Sequence, residues 1–212
     1  MTQNLKTHLV LLAALGISAT AAHGTQPADV VVSDNDSNTA MGTNGLYQLT
    51  TGIANTASGE FALYSNTVGI CNTADGYQAL DSNTTGNSNT SIGFAARAGS
   101  TTGNDNTATG YRALAGNLTG YDNTAFESYA LTANTTAFYN SALGLAALYS
   151  NSTGSNNSAA GANALYYNVT GSRNNAAGID ALFSNTTAND NNAMGFLQSS
   201  PTELAQNRCS QS

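Results

Sequence analysis

The sequence predicts an all-β protein, a β-solenoid or β-roll of about ten 17-residue coils, with room for a single helical turn in each. Three observations carry that prediction. Asparagine returns at Asn38, Asn55, Asn72, Asn89, Asn106, Asn123, Asn140, Asn157, Asn174 and Asn191, always 17 residues apart, without insertion or deletion. The residues between them are fixed by position, with the consensus N-T-A-x-G-x-x-A-L-x-x-N-T-T-G-x-x. Gly and Asn are poor helix formers, and they recur too often for a long helix to fit.

Columns are numbered from that Asn, and coils from the one that begins at Asn38. Column 3 is Ala except at Ser91, column 5 is Gly except at Glu127, and column 9 is Leu except at Arg97. Column 12 is mostly Asn, column 14 mostly Thr and column 15 mostly Gly. Stacked coils would place identical residues about 4.8 Å apart. Asn then donates to and accepts from the Asn above and below. Thr, being β-branched, suits a strand, and Gly turns corners where φ is positive. The repeated Asn residues are therefore expected to be a structural ladder.

The elements follow in order. Residues 1–22 read as a cleaved secretory signal: Lys6, then the apolar run "LVLLAAL", then small residues ending near Ala21 or Ala22. That run is too short for a membrane-spanning helix. Residues 23–37 are expected to be an N-terminal cap or linker, with "PADVVVSDNDS" supplying a capping strand. Residues 38–197 are the solenoid, and residues 198–212 a C-terminal cap or tail. Within a coil, columns 1–5 read as a short strand and columns 12–15 as a second extended piece. Columns 8 and 9, Ala-Leu, are adjacent and both fixed. Strict alternation would fix only one of them, so a bend or one helical turn is expected across columns 6–11.

Period-2 reasoning puts columns 1, 3 and 5 on one side. Column 4 then faces out, unless the parity is inverted and it lies inside. It holds Met41, Ile92, Phe126, Leu143 and Met194, and an outward apolar ridge marks a contact. The column-6 aromatics Tyr77, Phe94 and Tyr111 are further contact candidates, for sugar faces or for stacking between coils. One Leu and two Ala per coil make a thin core, so association with further copies is expected.

Composition narrows the chemistry. Only 8% of the chain is charged, and without Lys6 four Arg stand against twelve Asp and Glu. A mildly acidic chain with no basic cluster argues against nucleic acid. Both histidines, His8 and His23, lie in or beside the signal, which leaves the coils no imidazole for base catalysis or metal binding. No cofactor, metal or catalytic residue is assigned. Of Asp75, Asp81, Asp105, Asp122, Asp180 and Asp190, three share column 17, and Asp105 and Asp122 sit on adjacent coils. They read as solvated charges rather than a glycosidase pair. Cys71 and Cys209 lie eight coils apart, too far to bridge in a straight solenoid. They are unrelated thiols or intermolecular partners. Most Asn-x-Ser/Thr motifs, such as the one at Asn83, arise from the repeat itself.

The segments "NTADGYQALDSNTTGNSNT" and "NTATGYRALAGNLTGYDNT" resemble the Asn-Thr-Gly repeats of bacterial tail-fibre-domain proteins. More loosely, the "A-x-G" beat is similar to the head repeats of trimeric autotransporter adhesins. The resemblance covers about residues 38–197. It implies elongated, often trimeric proteins of bacterial surfaces. Residues 198–212 are expected to supply neither the C-terminal chaperone domain nor the membrane-anchor segment of those families. The expectation is an exported, non-catalytic structural or adhesive surface or fibre protein. Its partners would be itself, a glycan or a host surface. The alternative is an ice-binding solenoid using the paired Thr of columns 13 and 14, as at Thr84 and Thr85. A carbohydrate-active β-helix enzyme is a more distant third.

Overall fold

A computed structural model describes residues 32–196. The expected signal, Cys209 and the C-terminal tail lie outside the described residues. Eleven short strands form one sheet in sequence order. They are β1 (Val32–Ser33), β2 (Thr39–Met41), β3 (Thr56–Ser58), β4 (Thr73–Asp75), β5 (Thr90–Ile92) and β6 (Thr107–Thr109), followed by β7 (Thr124–Phe126), β8 (Ser141–Leu143), β9 (Ser158–Ala160), β10 (Asn175–Ala177) and β11 (Asn192–Met194). From β2 to β11 every pair is parallel and in register, as in Thr56 opposite Thr73. Each coil thus contributes one strand, and the protein is a β-solenoid. Strand β1 pairs antiparallel with β2 and covers the N-terminal edge, as the stretch from Pro27 was expected to do.

The central residue of each three-residue strand is the column-3 Ala, buried in all but the first coil, while columns 2 and 4 point outward. The parity question is therefore settled with column 4 outside. Column 5 turns the corner. Gly76 has φ +131°, and a Cβ there would lie 2.7 Å from the carbonyl oxygen of Gly93 in the next coil. Glu127 occupies the same position with φ +92°, so it carries strain that Gly avoids.

Columns 6–11 are a turn and not a helical turn. The reason is a left-handed residue at columns 7 and 9 of each of the first nine coils, for example Gln78 and Leu80, both at φ +55°. Those two residues break the alternation of an extended chain, so adjacent Ala79 and Leu80 both turn inward, each with no exposed surface. Columns 12–15 form no strand, contrary to expectation. Coils are still tied there, since the Thr67 and Val68 N–H groups donate to the Thr84 carbonyl at 3.0 and 3.3 Å. A third left-handed residue at column 17, such as Ser88 at +55°, returns the chain to the next Asn.

Two asparagine ladders run through the interior. In column 1 the Asn72 backbone N–H and Nδ2 both donate to Asn55 Oδ1, at 3.0 and 3.1 Å. Asn72 Nδ2 also donates to the Gly86 carbonyl at 2.8 Å. This pattern holds from Asn55 to Asn174, apart from an Ala carbonyl at two coils, and Asn191 repeats the two bonds to the preceding Asn. In column 12 Asn83 Nδ2 donates to Asn66 Oδ1 at 2.8 Å and to the Gly86 carbonyl at 3.0 Å. The first ladder is closed at its N-terminal end by Asp34. Its carboxylate accepts from the Asn38 N–H at 2.9 Å and from Asn38 Nδ2 at 3.0 Å. Apart from Asn83 Oδ1, which faces coil 4, these buried amides are thus answered, as low-dielectric interiors require.

Candidate functional site

The outer sheet face is built from columns 2, 4 and, past the corner, 6. Of the expected contact residues, Ile92 is 41% exposed, Phe126 40%, Leu143 58% and Met194 71%, while Met41 is half-buried. Leu145, Ile179 and Phe196 in column 6 join them and are at least half exposed. Sequence reasoning passed over Leu145 and Ile179 because it followed aromatic rings in that column, and it stopped at Tyr111, short of Phe196. From coil 4 to coil 10 none of the residues in columns 2, 4 and 6 is charged. Among the N-terminal coils, the same columns carry Glu60 and Asp75.

Tyr77, Phe94 and Tyr111 do come together, but on one another. Tyr77 and Phe94 stack at 5.1 Å and 21°, and Phe94 and Tyr111 at 5.5 Å and 25°. The row continues in both directions, from Tyr47 and Tyr64 at one end to Tyr149, Tyr166 and Phe183 at the other. It crosses from column 10 to columns 7 and 6 and back, which is why a column-by-column reading saw only its middle. Stacked rings cover one another's faces, so they offer a partner edges and hydroxyls rather than a platform for a sugar ring.

The threonine columns divide. Column-13 hydroxyls are spent on the next coil, as when Thr84 Oγ1 donates to the Thr101 carbonyl at 2.9 Å. Column 14 stays exposed throughout, with Thr85, Thr102, Thr119 and Thr136 on four successive coils.

Coil 4 departs from the pattern inside. Arg97 replaces the core Leu with no exposed surface, and Ser91 and Ser100 replace Ala and Asn. Arg97 Nη2 donates to the Gly103 carbonyl at 2.9 Å, the bond that a column-12 Asn would make. Its Nε and Nη1, both serine hydroxyls and Asn83 Oδ1 have no partner. Burial pushes the Arg97 guanidinium down to about 9. The apolar core accordingly falls into two clusters, one ending at Leu80 and the other beginning at Ala96. Above this coil lies an open dent of about 350 Å³, lined in part by Phe94, Gly99 and Arg112.

The column-17 carboxylates make no cluster. Asp105 and Asp122 are exposed, and Asp190 pairs with Arg173 at 2.6 Å, which holds its carboxyl below the usual range. Among the described residues, no three of His, Cys, Asp and Glu gather as a metal-holding group. Nor is any described helix long and apolar enough to cross a membrane. Cys71 is exposed. Glycosylation of the folded coils is blocked at Asn83, Asn89, Asn117, Asn134, Asn151 and Asn168, all buried in the ladders. No family model, curated protein or solved structure matches the chain. The resemblance to tail-fibre and adhesin repeats therefore rests on the repeat residues alone.

Proposed function

We propose that this is an exported, non-catalytic structural rod that acts by contact, through the outer face of its sheet. The observation that carries the reading is the outward columns 2, 4 and 6 of coils 4–10, which hold no charge and are studded with exposed Leu143, Ile179, Met194 and Phe196, with Glu127 at one corner the single carboxylate within columns 2–6. An exposed apolar stretch of this kind costs solubility unless something covers it. Self-association supports it better than glycan binding, because the aromatic rings are occupied with one another. Light scattering on the exported chain, with and without reductant, tests this. Concentration-dependent association in both conditions is expected. A monomer that also fails to adsorb to any apolar surface would remove the reading.

A second reading is favoured by one observation, the exposed threonine row of column 14. Regularly spaced hydroxyls and methyls could order water at an ice surface. Column 13 adds no second rank, since its hydroxyls bond inward. A thermal-hysteresis assay decides it, and Thr119→Tyr should abolish any activity found.

A further inference from the structure

Resting on that reading, we infer that the face of coils 5–10 docks a second copy of this chain, antiparallel, about a two-fold axis between coils 7 and 8. The face is bumpy in a self-complementary way. Coil 7 projects Leu143 and Leu145, while coil 8 offers only Ala160 and Ala162. Coil 6 projects Phe126, and coil 9 has Ala177 in the same column. A two-fold axis lying in the interface along the strand direction keeps columns opposite one another and reverses coil order. Coil 7 then meets coil 8 of the partner, coil 6 meets coil 9, and coil 5 meets coil 10.

Every column-4 contact in that register sets a larger residue against a smaller one: Leu143 on Ala160, Phe126 on Ala177, Met194 on Thr109. In column 6 Leu145 meets Ala162, Ile179 meets Ser128, and only Tyr111 and Phe196 meet as equals. Column 2 pairs polar with polar, Ser141 on Ser158 and Thr124 on Asn175. Isologous contacts demand this kind of reciprocity. The other in-plane two-fold, along the rod, would set Leu143 on Leu143 and Ala160 on Ala160, giving clashes beside voids. The antiparallel overlap leaves Glu60 and Asp75 of both copies outside the contact, and the one carboxylate each copy brings to it, Glu127 at the corner of coil 6, stands opposite Gly178, which has no side chain to clash with it.

Six coils at about 4.8 Å by five residues at about 3.3 Å give a footprint of roughly 475 Å² per copy. The total of about 950 Å² falls in the range of weak, transient contacts, so a dimer of about 10 µM affinity is expected.

The test uses two separate variants, Leu143→Asp and Ala160→Lys, both at exposed positions. Each alone sets a charge against an apolar partner and should weaken the dimer at least about tenfold in sedimentation equilibrium. Mixed one to one, the aspartate of one chain faces the lysine of the other, and the second contact stays native. The mixture should recover affinity to within about threefold of the parent. Thr109→Asp with Met194→Lys provides an outer pair that must behave likewise, and unchanged circular dichroism confirms that each variant is folded. A parent chain monomeric at about 100 µM overturns the second copy as occupant, leaving contact with a foreign surface. A dimer whose affinity mixing does not restore overturns this register while leaving self-association intact.

Discussion

Restoring the consensus in coil 4, with Arg97→Leu and Ser100→Asn together, should stabilise the rod by at least about 3 kcal/mol. Lowering the guanidinium to about 9 amounts to a penalty of the order of 4–5 kcal/mol on its charged form, at 1.36 kcal/mol per tenfold change in proton affinity. The charged form persists at neutral pH, so the folded chain carries that cost. Leucine would rejoin Leu80 and Leu114 in a continuous stack, worth about 1.5–3 kcal/mol of burial. Asparagine at 100 would donate to the orphaned Asn83 Oδ1, relieving a penalty of about 1–3 kcal/mol. Incomplete additivity among neighbours reduces the total, hence the lower bound. With an m-value of about 2 kcal/mol/M, the urea midpoint should rise by about 1.5 M. The shape of the transition should change too. The parent's apolar core is interrupted at coil 4, where the strand pairing and the column-1 asparagine ladder still run through, so its unfolding should be broader than the variant's. A midpoint that stays put or falls would mean that the buried guanidinium is already answered in solution, and the cost assigned to it would be wrong.

Further outcomes follow from the same geometry. Folded Arg97 holds its proton less tightly than unfolded Arg97, so rising pH favours the folded state once it passes about 9. The stability gap between parent and double variant should therefore be constant below about pH 9 and narrow above it, measured by urea midpoints at each pH. Glu127→Gly should raise stability by about 1 kcal/mol, because strain at φ +92° outweighs the added freedom of the unfolded chain. Asn123→Ala should cost about 2–4 kcal/mol, since it removes four buried side-chain hydrogen bonds and leaves the Asn140 N–H without an acceptor. Thermal melts check both. Leu131→Ala, in the middle of the leucine stack, should cost about 2–5 kcal/mol by the same assay.

Much of this fold was legible because the repeat has no indels. The period set the parallel register, and the Asn column announced a ladder, since only a residue that both donates and accepts can stack on itself. Period-2 logic also turned column 4 outward. At Ala79 and Leu80 its breakdown announced a bend but not the kind of bend, because leucine carries no signature of a left-handed backbone. Only packing between coils holds it there. The aromatic row was half visible, since rings in different columns meet only after the turn folds. The coil-4 exceptions Ser91, Arg97 and Ser100 were each noticeable in their own column. Reading them along the coil, as one change with a shared cause, was the signal available and missed.

The Asp34 carboxylate at the start of the asparagine ladder gives the rod a polarity. It answers the amide end of the stack, as an anion answers the start of a helix. A further coil could not stack before Asn38 without breaking that seal. Anywhere between Asn55 and Asn191, an inserted coil would find the same neighbours that every other coil has. Such a protein can change length only in whole steps of about 4.8 Å. A fragment of any other size would put each amide, ring and leucine out of line with the next.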